Sequence, residues 1–194
     1  VLNEICFQGQ IYQLYNTDYR GRLVMNHEKL IAHLKANADV FKYQFLSVSE
    51  DQAGWKPAKD RWSILEVVNH LGDEEREDFR QRLELVLNDP EAPWPAIDPE
   101  GWVIQRKYND RNFRQSLDGF FEQRDISIRW LNELVAPDWR SAHQHPQLGS
   151  MSAELILANW VAHDLFHIRQ IADLHFEYIA EVVHPVSLDY SGWG

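Results

Sequence analysis

The feature that most limits the possible folds is a stretch of about thirty residues, from near Met151 to about Ala180, apolar on almost every side of a helix. At 100° per residue, one face carries Ile156, Asn159, Trp160, His163, His167, Gln170, Leu174 and Tyr178. Leu155, Leu157, Val161, Leu165, Phe166 and Ile168 fill most of the remaining positions. A helix with so little polar surface belongs among other helices rather than outside them. It reads as the central member of a bundle, with His163 and His167 projecting side by side into it.

Three further stretches supply its neighbours. From about Asn26 to Ser47, His27, Leu30, Ile31, Leu34, Ala38, Phe41 and Phe45 recur at three- and four-residue steps. "SVSEDQAGWKPAKD" ends that helix, because Gly54 and Pro57 do not continue one. The second opens at "RWSILEVVNH", where Ser63 can cap it and Glu66, three residues on, completes a capping-box pattern. Its stripe of Leu65, Val68, Gly72, Phe79, Leu83 and Val86 runs to about Asn88.

Next, "DPEAPWPAIDPEGW" holds four prolines among fourteen residues, a poor match to any helix. A break of that length serves as a crossover or a functional loop. The third helix, roughly Arg111 to Val135, carries Phe113, Leu117, Phe120, Ile128 and Leu131, and the loop "APDWRSAHQHPQLGS" leads into the fourth. Short connections after helices one and three favour antiparallel neighbours; the proline loop lets helices two and three run parallel. The expectation is all-α: an up-down-down-up four-helix bundle with a long crossover between helices two and three. One domain is expected, with the bundle over about 25–180, an N-terminal extension over 1–24 and a C-terminal tail over 181–194.

Composition narrows the partners. Apolar residues make up 44% of the 194-residue chain and charged residues 25%, the balance of a soluble globular protein. A formal net charge of −11 argues against a nucleic-acid partner, which needs a basic footprint. No apolar run reaches membrane-spanning length and the start does not resemble a signal peptide. Cys6 is the lone cysteine and cannot form an internal disulfide. A reducing, cytoplasmic setting is the expectation. Eight tryptophans suggest that some aromatic surface lines a cleft or a subunit contact.

An H-x-x-x-H pair on a helix brings two imidazole nitrogens close enough to share one metal ion. Two core histidines satisfied by polar neighbours would give the same spacing. Asn159 and Gln170 make the stripe polar over two turns, which suits a metal. The residue after His163 is Asp164, giving H-D-x-x-H rather than the H-E-x-x-H of zinc peptidases. A ferritin-like di-metal site would need a second carboxylate-x-x-His, and Glu66-Val-Val-Asn69 does not supply it. His70 is the best third candidate, yet its helix wheel places it toward an acidic edge with Glu66, Asp73 and Glu74. His143 and His145 lie in a loop, His27 faces the apolar side of helix one, and His33, His175 and His184 receive no role.

Together, "WSILEVVNHLGDEE" and "HPQLGSMSAELILANWVAHDLFHIRQI" resemble the two signature regions of the DinB/YfiT-like superfamily. Trp62, Ser63, Glu66, His70, Leu71 and Asp73 match the first; His163, Asp164, His167, Gln170 and Ile171 match the second. The resemblance covers roughly Met25 to Tyr178. It implies a three-histidine metal site made by His70, His163 and His167, holding a divalent ion, zinc or nickel first and iron or manganese next. It also implies a homodimer and a thiol-dependent S-transferase activity using a low-molecular-weight thiol.

Three functional expectations follow. In the first, the ion activates a cosubstrate thiol. In the second, it activates water, and the protein is a small metal-dependent hydrolase acting on a small-molecule substrate. In the third, the protein is a non-catalytic, stress-related metal-binding module. Asp164 and Glu74 are candidate general bases or partners of the ligands, and Gln170 a group that orients a ligand histidine. Asn159, Trp160 and Trp62 are candidates for the pocket wall, with core packing the safer expectation for both tryptophans.

Overall fold

The computed structural model describes residues 15–17 and 23–193, so Cys6 and most of the N-terminal extension lie outside the described residues. Two short strands, β1 (Tyr15–Thr17) and β2 (Leu23–Met25), pair antiparallel ahead of the bundle. The bundle helices are α1 (His27–Phe45), α3 (Ile64–Glu74) continued by α4 (Arg80–Asn88), α6 (Phe113–Glu133) and α7 (Ala153–Val183). Two shorter helices, α2 (Glu50–Gly54) and α5 (Pro99–Gln105), and a hairpin of β3 (Ala142–His145) and β4 (Gly149–Ser152) complete the chain.

Contacts along the helices give their directions. His27 meets Glu154, Asn37 meets Asp164 and Gln44 meets the Ile168 carbonyl, so α1 and α7 run the same way. Asn69 meets Ser116, Glu75 meets Arg124 and Arg80 meets Ser127, so α3–α4 and α6 are also parallel. Phe45 packs on Phe113 and Phe41 on Phe120, which sets α1 against α6. This is the expected up-down-down-up order. No described helix is long and apolar enough to cross a membrane.

Local rules account for the helix starts. Ser63 Oγ accepts from Glu66 N–H at 3.1 Å and Glu66 Oε2 accepts from Ser63 N–H at 2.8 Å, the reciprocal capping box expected from the sequence. Asn26, Asn112 and Ser152 cap α1, α6 and α7 in the simpler one-bond form.

Four expectations are corrected. Helix two is not uniform: Glu75–Phe79 forms a π-helical segment between α3 and α4. The break after α1 contains α2, capped by Ser49. The proline-rich crossover contains the start of α5, where Pro99 stands in the first turn and costs no hydrogen bond, with Asp98 as cap. The stretch before α7 is a β-hairpin rather than an irregular loop; Gly149, at φ +75°, supplies a left-handed residue at the start of β4.

Two apolar clusters fill the bundle. One gathers Phe41, Phe45, Val68, Phe120 and Ile171; the other Leu34, Leu83, Leu131, Leu157 and Trp160. The edge-on contact of Phe41 and Phe120, at 5.5 Å, adds about 0.5–1.5 kcal/mol to the burial of the two rings. Between the clusters lies a layer of buried polar side chains, and the functional site is part of it.

Candidate metal centre

His70 lies two turns after the capping box that starts α3, and is only 5% exposed. The acidic edge that surrounds it is itself buried. Glu66 is held by Lys56 at 3.0 Å, and Asp73 takes Tyr108 Oη and Arg106, both at 2.5 Å. Lys56 and Arg106 neutralise carboxylates that a helix wheel assigns to solvent, and Tyr108 adds a hydrogen bond. His70 therefore faces inward, toward α7.

On α7, His163 and His167 stand one turn apart, their ring centroids 4.4 Å from each other. His163 Nε2 is 3.1 Å from His167 Nε2 and 3.3 Å from His70 Nε2. Those separations match the edge of a tetrahedron around an ion with metal–nitrogen bonds of 2.0–2.1 Å, about 3.3 Å. One proton shared among these three nitrogens makes one good hydrogen bond and leaves a lone pair over, so the imidazoles satisfy one another only in part. A cation satisfies all three, so the residues fit a divalent metal.

The three rings are also oriented and neutral. Gln170 Oε1 lies 2.7 Å from His167 Nδ1, which places the proton on Nδ1 and keeps the Nε2 lone pair free. His70 packs against Trp62 at 4.9 Å and His163 against Phe79 at 5.0 Å. Burial lowers the pKa of His70 to about 3, with His167 adding to the effect. Burial likewise lowers His167 to about 4, against the pull of Gln170 and Asp164, and lowers His163. Neutral imidazole is the form that binds a metal.

The three nitrogens line a cavity of about 650 Å³ together with Trp62, Glu74, Ile97, Phe166 and Gln170. Asp60, Arg61, Asp98 and Glu100 form its rim. Ile97 to Glu100 come from the crossover, and the length and proline content of that loop were the only sequence signals for this wall. Glu74 is 4% exposed, and its Oε1 has no hydrogen-bond partner among the described residues. Burial first, then Asp78 beside it, raises its pKa to about 8.

Other candidates stand elsewhere. Asp164 points away from the cavity: its two oxygens accept from Arg124 Nη1 and Nη2 at 2.7 Å, and Asn37 donates at 3.1 Å. With both oxygens committed, it is a buried ion-pair partner and not a free general base. Asn159 is exposed and donates to the Leu155 carbonyl, so it does not line the pocket. Trp160 is core, donating from Nε1 to Glu75 and stacking on Phe79. Trp62 does both: it lines the pocket and, partly buried, packs against the apolar core. His27 stacks on Trp139 and His143 on Trp94, while His145 accepts from two backbone N–H groups; none of the three lines the cavity. Arg124 carried no sequence signal, since its partners come from other helices.

The family model of the DinB superfamily matches residues 33–171, a span that contains all three histidines. The chain belongs to the DinB superfamily. Among solved structures, the DinB-type bundle seen here is similar to YfiT from Bacillus subtilis, described as a probable metal-dependent hydrolase with an unusual four-helix bundle topology. The TM-score is 0.69 at 20% sequence identity, covering 81% of this chain and 91% of that one. No curated protein sequence matches.

Proposed function

We propose that this DinB-superfamily chain is a divalent-metal-dependent enzyme that hydrolyses a small-molecule substrate, with His70, His163 and His167 as the metal ligands. The observation that carries the reading is the convergence of three neutral Nε2 atoms on the wall of a cavity of ligand size. Bound there, a divalent ion supplies Lewis acidity, bringing the pKa of a small nucleophile toward neutrality and polarising the bond to be cleaved. Imidazole donors suit zinc and nickel first, and iron or manganese after them.

The chain's own residues do the rest. Gln170 fixes the His167 tautomer, and Trp62, Ile97 and Phe166 give the substrate an apolar wall. At the rim, three carboxylates face one guanidinium, and Arg61 is already paired with Glu177 at 3.1 Å. The entrance therefore favours uncharged or cationic substrates over anionic ones. Exposed Leu165, Ile179 and Val182 along α7 give a homodimer an apolar surface to use.

Thiol-dependent transfer is the second reading, favoured by the size of the cavity, which leaves room for a cosubstrate beside the substrate. Among the described residues no cysteine lines that cavity, and in this reading the thiol comes from a small molecule. The test is turnover of ester, amide and phosphoester substrates by zinc- and nickel-loaded protein, with and without added low-molecular-weight thiols. Hydrolysis predicts turnover without thiol that disappears in His163→Ala. Strict thiol dependence would replace it with transfer, and metal binding without turnover of any substrate would favour the non-catalytic module.

A further inference from the structure

The three imidazoles give the centre donors but no charge. A divalent ion among them would stand in a largely buried site with two positive charges, a costly arrangement unless carboxylates compensate. Arg124, whose field reaches His163, adds a further positive charge behind the site, and its carboxylates Glu75 and Asp164 are both committed to it. Asp78 is likewise engaged, by Arg82 at 2.8 Å and by the Glu74 carboxyl beside it. Asp60 and Glu100 are exposed at the rim, and Asp98 is occupied by Gly101 N–H and the Gln105 amide.

Glu74 also touches one of them, Asp78, but differs in that it faces the cavity with one oxygen still open. It stands four residues after His70 on α3, as His167 stands four after His163 on α7, so two i, i+4 pairs face each other from antiparallel helices. Its side chain is buried, it lines the same cavity as the three histidines, and Oε1 has no partner among the described residues. A buried carboxyl oxygen left without a donor is unfavourable for folding, by about 1–3 kcal/mol or more. Such a group is explained most simply by a ligand that the cavity is built to receive.

Resting on the metal-centre reading above, we infer that Glu74 is the counter-charge of the site: its carboxylate faces the cavity to compensate the ion that the three neutral histidines bind. Its oxygen lies outside the cluster of three converging nitrogens, so it acts from beside them. Glu74 strengthens metal binding at the expense of the metal-free fold.

Competition of the full chain with a chelator for Zn²⁺ and for Ni²⁺ tests this, using the parent, Glu74→Gln, Glu74→Asp and the exposed control Glu133→Gln. Thermal melting of each metal-free protein is measured alongside. Glu74→Gln is expected to weaken both ions at least tenfold while its metal-free melting temperature equals or exceeds the parent's. Glu74→Asp, which keeps the charge, recovers part of the affinity, and Glu133→Gln stays within twofold of the parent. Parent-like affinity in Glu74→Gln overturns the inference alone, as does a metal-free melting temperature below the parent's, which would make Glu74 a structural residue. A parent that binds neither ion overturns the metal reading and this inference with it.

Discussion

Two polar clusters share the middle layer of the bundle, and they follow opposite rules. Around Arg124 every group is satisfied: the guanidinium makes five contacts of 3.1 Å or less, two with Glu75, two with Asp164 and one with the Leu34 carbonyl. Trp160 and Asn37 donate to the same two carboxylates. Around His70, His163 and His167 the groups are left open. Three Nε2 atoms converge, and His70 Nδ1 and Glu74 Oε1 find no partner among the described residues. A saturated network defines a structure; an unsaturated one of the same burial is a site for something else. Asp164 shows how narrow the boundary is, since it lies between His163 and His167 in sequence yet belongs wholly to the first cluster.

The comparison breaks most readily at Arg124. Arg124→Ala leaves Glu75 and Asp164 buried without a cation and should cost about 3–5 kcal/mol, read by urea unfolding. A loss under 1 kcal/mol would mean that the network is not closed as described.

The histidines should instead reveal themselves through pH. Their folded-state pKa values lie below 6.5, at about 3 for His70 and about 4 for His167, while the unfolded chain takes up protons near 6.5. As pH falls from 6.5 toward 4 the unfolded state binds more protons than the folded one, so the metal-free protein loses stability across that window. Thermal melts of the parent should show the fall and those of His163→Ala a smaller one. Equal slopes would place the histidines outside the low-dielectric layer.

Gln170→Ala sharpens the distinction further, because it touches only the open cluster. Metal affinity should drop by about 10–100-fold with little change in melting temperature. Ser63→Ala, which removes the cap of α3 and touches neither cluster, should cost about 1 kcal/mol and leave metal affinity unchanged.

What could be read in the sequence was whatever depends on near neighbours. The Ser63–Glu66 box, the starts of the long helices and the His163–His167 pair all follow from spacing of three or four residues. His70 reads as solvent-facing because a helix wheel leaves out the Lys56 that pairs with Glu66 and the Arg106 and Tyr108 that hold Asp73. Only the resemblance of the motif corrected that placement. Arg124 reads as one more charge on α6 until Glu75 and Asp164 are brought to it from two other helices. The crossover misled for a different reason: counting prolines missed that Pro99 occupies the one helical turn where proline is harmless. The π-helical segment Glu75–Phe79 has no local signature at all.

The most direct measurement is the metal content of the parent and of His163→Ala, by elemental mass spectrometry after exposure to zinc or nickel and removal of excess ion. The open cluster predicts about one equivalent in the parent and, with one of three ligands gone, a small fraction of that in the variant. A parent that retains neither ion, or a variant that retains as much as the parent, would contradict the reading of His70, His163 and His167 as a metal centre.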